Sequence, residues 1–136
     1  MIKSRLLILA ARLEAIAKRP PKGRTFELSA WLRKEPCGTV CCAVGEAMLI
    51  PRFKKLGLGM KANHMDAHYF SPHFRNHTGW SAVDAFFGLS GKQAEKLFSP
   101  VNYSLEDRNP STVAARLREF VKSKAPQASD GGVKDA

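Results

Sequence analysis

Cys37, Cys41 and Cys42 stand together in the stretch EPCGTVCCAVGEAMLIP, residues 35–51, and His64, His68, His73 and His77 follow in GMKANHMDAHYFSPHFRNHTG, residues 59–79. These residue types support two chemistries. A thiol in the first turn of a helix is favoured as thiolate by unpaired backbone N–H groups and the macrodipole, and a histidine within hydrogen-bond reach completes a nucleophile and its base. Cys37 or Cys42 with His77, or with another of the histidines, is the candidate pair for a cysteine-dependent hydrolase or transferase. The second chemistry is zinc ligation. His64 with His68, and His73 with His77, have the spacing that brings imidazoles together on a helix, and Cys37 could add a thiolate to complete a tetrahedral set.

Both readings compete with plain packing. Pro72 interrupts any helix through the four histidines, and there is no Cys-x-x-Cys pair. Cys-Gly-Thr departs from the Cys-Gly-Ser-Cys of papain-type hydrolases: its second cysteine is displaced and no aromatic follows it. Cysteine is among the most buried residue types and packs as a small hydrophobe. Cys42 and Gly45 lie three apart, so their small size would let a neighbouring helix approach closely. We therefore expect all three thiols to be shut away in a core, with no catalytic group and no cofactor, and a zinc-stabilised binding module as the testable alternative. Beside Tyr69, Phe70, Phe74 and Arg75, the histidines equally suit a partner-binding or base-stacking loop.

Charge offers a different tool. Lys and Arg number 22 against 12 Asp and Glu, a formal net charge of +10, and such an excess draws polyanions: nucleic acid, an acidic protein surface or anionic lipid. The excess is densest at the N-terminal end, where Lys3, Arg5, Arg12, Lys18, Arg19, Lys22 and Arg24 face a single acid, Glu14. Arg5, Arg12 and Arg19 recur every seven residues along one helix flank, either as a solvated edge or as a stripe that contacts phosphate or carboxylate without reading sequence.

The elements that must position these groups read as helical. The chain length predicts one domain, residues 1–124, with a core that needs no disulfide or metal. Ile2, Leu6, Leu9, Leu13 and Ile16 mark one face of a first helix ending before Pro20. FELSAWLRK reads as a short helix or extended piece. Thr39 stands at an N-cap position, and Val40 to Ile50, whose one charge is Glu46, reads as a buried central helix stopped by Pro51. Residues 52–78 show no sustained period and read as an irregular excursion. Trp80 to Phe87 returns to helix with Gly88 ending it. Ser90 and Gln93 form a capping box, and Ser111 or Thr112 caps a last helix that buries Val113, Leu117, Phe120 and Val121. The sum is an all-α fold, a compact bundle of five or six short helices around residues 40–50, with residues 125–136 a disordered tail. The apolar stretch LLILAA is too short for a membrane span and runs on into a charged helix, unlike a signal peptide. A cytoplasmic protein with reduced thiols is the expectation, with no membrane partner.

The residues CGTVCCAVG (Cys37, Gly38, Thr39, Cys42, Gly45), FFGLS (Phe86 to Ser90), Leu97 with Phe98, and TVAARLREFV (Thr112 to Val121) together resemble small proteins of phages and bacteria that carry a Cys-Gly-Thr-x-x-Cys-x-x-Gly element. The resemblance spans residues 26–122 and implies a phage or prophage setting, but no reaction. Joined to the charge, it leads us to expect a non-enzymatic accessory protein. It would bind a host or defence factor, for instance as an inhibitor of a nucleic-acid-guided nuclease, or bind nucleic acid directly.

Overall fold

The computed structural model describes residues 1–124; the tail at 125–136 lies outside the described residues. It corrects the all-α expectation. Six strands form a mixed sheet of order β1-β3-β2-β5-β4, with β6 also paired to β5, and six helices accompany it. The strands are β1 (Arg24–Phe26), β2 (Leu32–Glu35), β3 (Gly38–Cys41), β4 (Gly59–Asn63), β5 (Asp66–Phe74) and β6 (His77–Thr78). The helices are α1 (Lys3–Lys18), α2 (Ala43–Met48), α3 (Pro51–Lys55), α4 (Trp80–Phe87), α5 (Gly91–Phe98) and α6 (Pro110–Lys124). Among the described residues no helix is long and apolar enough to cross a membrane.

Local chemistry explains where helix gives way to strand. Thr39 and Val40 are β-branched and stiff at χ1, which suits a pleated surface. They lie in β3, antiparallel to β2 through Lys34–Thr39 and Arg33–Val40, and parallel to β1 through Arg24–Thr39 and Thr25–Val40. The expected central helix over Val40–Ile50 therefore shrinks to Ala43–Met48, with Cys42 rather than Thr39 at its N-cap. All six of its residues are buried. Pro51 opens α3 at its first turn, where a missing N–H costs nothing. The stretch read as irregular, 52–78, contains α3 and a hairpin of β4 and β5 with a bulge between Ala62 and Asn63.

Register decides which side chains meet the helices. Cys41 pairs with Leu32 and with Phe26, and Leu32 pairs with Phe70, so these four residues share one face. That face continues through Pro72 and Phe74 on β5 by the two-residue alternation of a strand. Against it sits an aromatic cluster in edge-to-face contact. Phe53 lies 4.9 Å from Phe86, Phe74 5.2 Å from Phe86, and Phe86 5.0 Å from Phe87, centroid to centroid. Such pairs each add roughly 0.5–1.5 kcal/mol beyond the area they bury.

The periodic helices form where expected. Leu6, Leu9, Leu13 and Ile16 of α1 are buried. Gly88 ends α4 in the left-handed region at φ 67°, and the Ser90–Gln93 capping box is formed in both directions. In α6, Val113, Leu117 and Val121 are buried while Phe120 is half-buried. Its cap is two to three residues earlier than expected: Asn109 Oδ1 accepts from the Thr112 N–H at 2.8 Å, so neither Ser111 nor Thr112 does the capping.

Candidate functional site

The cysteine-rich element is an architectural lock. Gly38 has φ +136° and lies so close to the Gly23 backbone that a Cβ would collide with it. The Thr39 N–H donates to the Gly23 carbonyl at 2.8 Å, which seats β3 beside the loop entering β1. The Cys42 N–H donates to the carbonyls of Ala30 at 2.8 Å and Trp31 at 3.3 Å. Gly45 lets that same Trp31 carbonyl rest on α2, where a Cβ would meet it and the Cys41 side chain. The small residues thus admit a neighbouring loop, not the neighbouring helix that their spacing implies.

The thiols divide. Cys41 and Cys42 are buried, whereas Cys37, in the turn between β2 and β3, is exposed, so the expectation that all three are shut away holds for two of them. Burial pushes the Cys42 thiol up to about 11, and burial followed by the Glu46 carboxylate pushes Cys41 up further. Both stay protonated at neutral pH, which opposes a nucleophilic role. Cys42 Sγ lies 3.8 Å from the Trp31 carbonyl. No histidine hydrogen-bonds a cysteine among the described residues: His77 Nδ1 sits 2.6 Å from Ser81 Oγ, and His73 Nδ1 is 3.4 Å from Thr78 Oγ1.

The candidate zinc ligands Cys37, His64, His68, His73 and His77 are not brought together. His68 and His73 lie on β5, His77 on β6, and His64 in the turn before β5. A spacing of four stacks imidazoles on a helix but sets residues roughly 13 Å apart along a strand, and the five-residue gap between His68 and His73 puts those two on opposite faces of β5. Among the described residues no three His, Cys, Asp or Glu side chains converge as a metal site requires.

The N-terminal basic set also divides. Arg5 donates from Nη1 to the Phe86 carbonyl at 2.7 Å and stacks on the Phe86 ring at 4.4 Å. Arg12 and Arg24 both turn to Glu46, the one buried charged residue among those described. Arg12 Nε donates to Oε1 at 2.9 Å, Arg24 Nε to Oε2 at 2.7 Å, and Cys41 Sγ lies 3.4 Å from Oε2. The carboxylate is 2% exposed, while the two arginine side chains are 25% and 23% exposed, so their heads reach the surface. Lys3, Lys18, Arg19 and Lys22 remain as exposed cations.

A more concentrated cationic surface lies elsewhere. Between α5 and α6 runs a groove of about 490 Å³ whose lining includes Lys92, Lys96, Arg116 and Lys124, with Leu97 and Phe120 as apolar contributors and Glu119 its one acid. Arg116 is fixed there, donating to the Asn102 carbonyl at 2.6 Å and stacking on Tyr103 at 3.8 Å. Lys92 and Lys96 are one helical turn apart on α5, so their pairing was visible in the sequence. Their convergence with Arg116 and Lys124 depends on how α5 meets α6, which no local pattern carries. No family model, curated protein or solved structure matches the chain.

Proposed function

We propose that the protein acts by binding, and that its partner presents an acidic polypeptide surface to the groove between α5 and α6. The observation that carries this reading is the composition of that groove: three lysines and a fixed arginine around Leu97 and Phe120, with Glu119 alone opposing them. Every ion pair among the described residues uses an arginine, namely Arg12, Arg24, Arg33 or Arg118, so the groove's lysines are free to meet a partner's carboxylates. The apolar floor favours a protein over nucleic acid, because it can receive an aliphatic or aromatic side chain between the acidic contacts. Lys3, Lys18, Arg19 and Lys22 add to the field that steers an anion inward. The resemblance to phage and bacterial proteins supports a host or defence factor as the partner, with the protein acting as its inhibitor.

The test uses poly-glutamate as the acidic polypeptide and a single-stranded oligonucleotide as the competing polyanion. Binding to poly-glutamate should weaken steeply with salt, and should fall at least tenfold when Lys92, Lys96 and Lys124 are changed together to Ala. A stronger, equally groove-dependent response to the oligonucleotide would move the assignment to nucleic acid. Binding that the triple variant leaves unchanged would overturn the groove itself.

A further inference from the structure

The ion cluster at Glu46 has a second side. Beneath Arg24 opens a cleft of about 340 Å³, lined by Ile16, Ala17, Pro20, Pro21 and Phe26 together with Glu46 and the start of α6 at Asn109–Ser111. Its volume falls within the range of small-molecule sites, and its walls are predominantly apolar with a few polar groups, as such sites are built. It lies at the opposite end of α6 from the cationic groove, which draws on that helix only from Arg116 onward.

Arg24 spends only Nε on Glu46. Among the described residues, neither terminal guanidinium nitrogen of Arg24 or of Arg12 has a hydrogen-bond partner. A guanidinium has two forked edges, and a side-on contact through Nε leaves the end-on edge, Nη1 with Nη2, intact for a second oxyanion. The charge is also incomplete: two guanidiniums against one carboxylate leave the cluster one positive charge in excess. An ion cluster of this sort is a poor device for stability alone, since apolar residues of the same volume commonly do as well. Held this way, Arg24 is a pre-positioned fork at the polar end of an apolar cleft.

We propose that this cleft binds a small organic monoanion, an aromatic or branched carboxylate, with its anionic head on the Arg24 fork and its apolar body among Phe26, Pro20, Pro21 and Ile16. The site is independent of the groove and of the protein partner proposed for it. The Glu46 carboxylate orients the fork and, by its own charge, disfavours dianions.

The experiment is calorimetric titration of the full chain at neutral pH with benzoate and phenylacetate, with phenyl phosphate as the dianionic counterpart and benzamide as the neutral one. The two carboxylates should bind, and benzamide and phenyl phosphate should each bind at least tenfold more weakly. Arg24→Gln should weaken the carboxylates by about tenfold to a hundredfold, the loss expected for a charge-assisted hydrogen-bonded contact. Ala17→Trp fills the mouth of the cleft from an exposed helix position without touching the ion cluster, and should abolish binding even if Arg24→Gln fails to fold. The Lys92, Lys96 and Lys124 triple variant should bind both carboxylates normally. No preference for the carboxylates over benzamide, or full binding in Ala17→Trp, would overturn the site.

Discussion

Replacing Glu46 by Gln keeps the side chain's shape and removes its charge, which isolates what the buried carboxylate contributes. Each oxygen now accepts one arginine Nε–H, at 2.9 and 2.7 Å. A glutamine retains one acceptor oxygen and turns an amide N–H₂ toward the other arginine, so one charge-assisted bond is lost outright and the second is weakened. Hydrogen bonds to charged groups contribute about 1.5–3 kcal/mol each, and orphaning one partner of a buried pair costs about 3–5 kcal/mol. Here the arginine heads are 25% and 23% exposed and can turn toward water, which lowers the cost. We expect Glu46→Gln to destabilise the fold by about 2–3 kcal/mol, a fall in Tm of roughly 10 °C for a domain of this size. Equilibrium urea unfolding measures it directly, and the slope should stay constant while the midpoint falls. Glu14→Gln supplies the contrast. Its bidentate pair with Arg118, at 2.6 and 2.8 Å, has better geometry but is 43–46% exposed, so its loss should cost under about 1 kcal/mol. If Glu46→Gln stayed within about 0.5 kcal/mol of the parent, or cost less than Glu14→Gln, the burial argument for the cluster would be wrong.

Three further outcomes follow from the same geometry. A thiol-alkylating reagent at neutral pH should label Cys37 alone in the folded protein, and Cys37→Ser should leave nothing reactive until urea exposes Cys41 and Cys42. Gly45→Ala should cost about 1–3 kcal/mol or more by overpacking against the Trp31 carbonyl, read as a lowered urea midpoint, whereas Gly59, where a Cβ would meet only the His73 carbonyl at an ordinary 3.8 Å, should tolerate Ala far better. Alkali should destabilise the fold through the buried thiols. The Cys42 thiol is raised from its ordinary 9.0 to about 11, so its contribution is whole below pH 9 and is lost as pH climbs toward 11, when the unfolded chain ionises first. Measured as Tm against pH, Cys42→Ala should flatten that decline.

What the sequence discloses here depends on whether the signal is local. The first helix, α4, α5 and α6 announce themselves because an amphipathic period and a cap are properties of neighbouring residues: Leu6, Leu9 and Leu13 in one case, Ser90 and Gln93 in another. The sheet has no comparable signature. Its strand β2 is LRKE, three of four residues charged, and β1 is three residues long. Each becomes a strand through pairing with β3: β2 across a tight hairpin, and β1 where Gly23 and Gly38 let two loops come together. The apolar run from Val40 satisfies a buried strand followed by a short helix as well as it satisfies one long helix, and length alone favours the wrong choice. Glu46 stands out as a lone charge in that run. Its partners, however, are 34 and 22 positions away, and nothing in the spacing of Arg12 or Arg24 distinguishes them from the exposed Arg19.

The packing of α1 against α6 sets an order of events during synthesis. Glu14 finds its partner 104 residues later in the chain, and the buried leucines of α1 share one core with Val113, Leu117 and Val121. At about 5–20 residues per second, the ribosome needs roughly 5–20 s to add that much chain, and for all of it α1 lacks the cover that α6 gives to its oily stripe. Nascent chains halted before Pro110 should therefore remain protease-sensitive and bound by holding chaperones, and protection should arrive only when α6 emerges. Helix α1 is made well before α6 and is finished only with it.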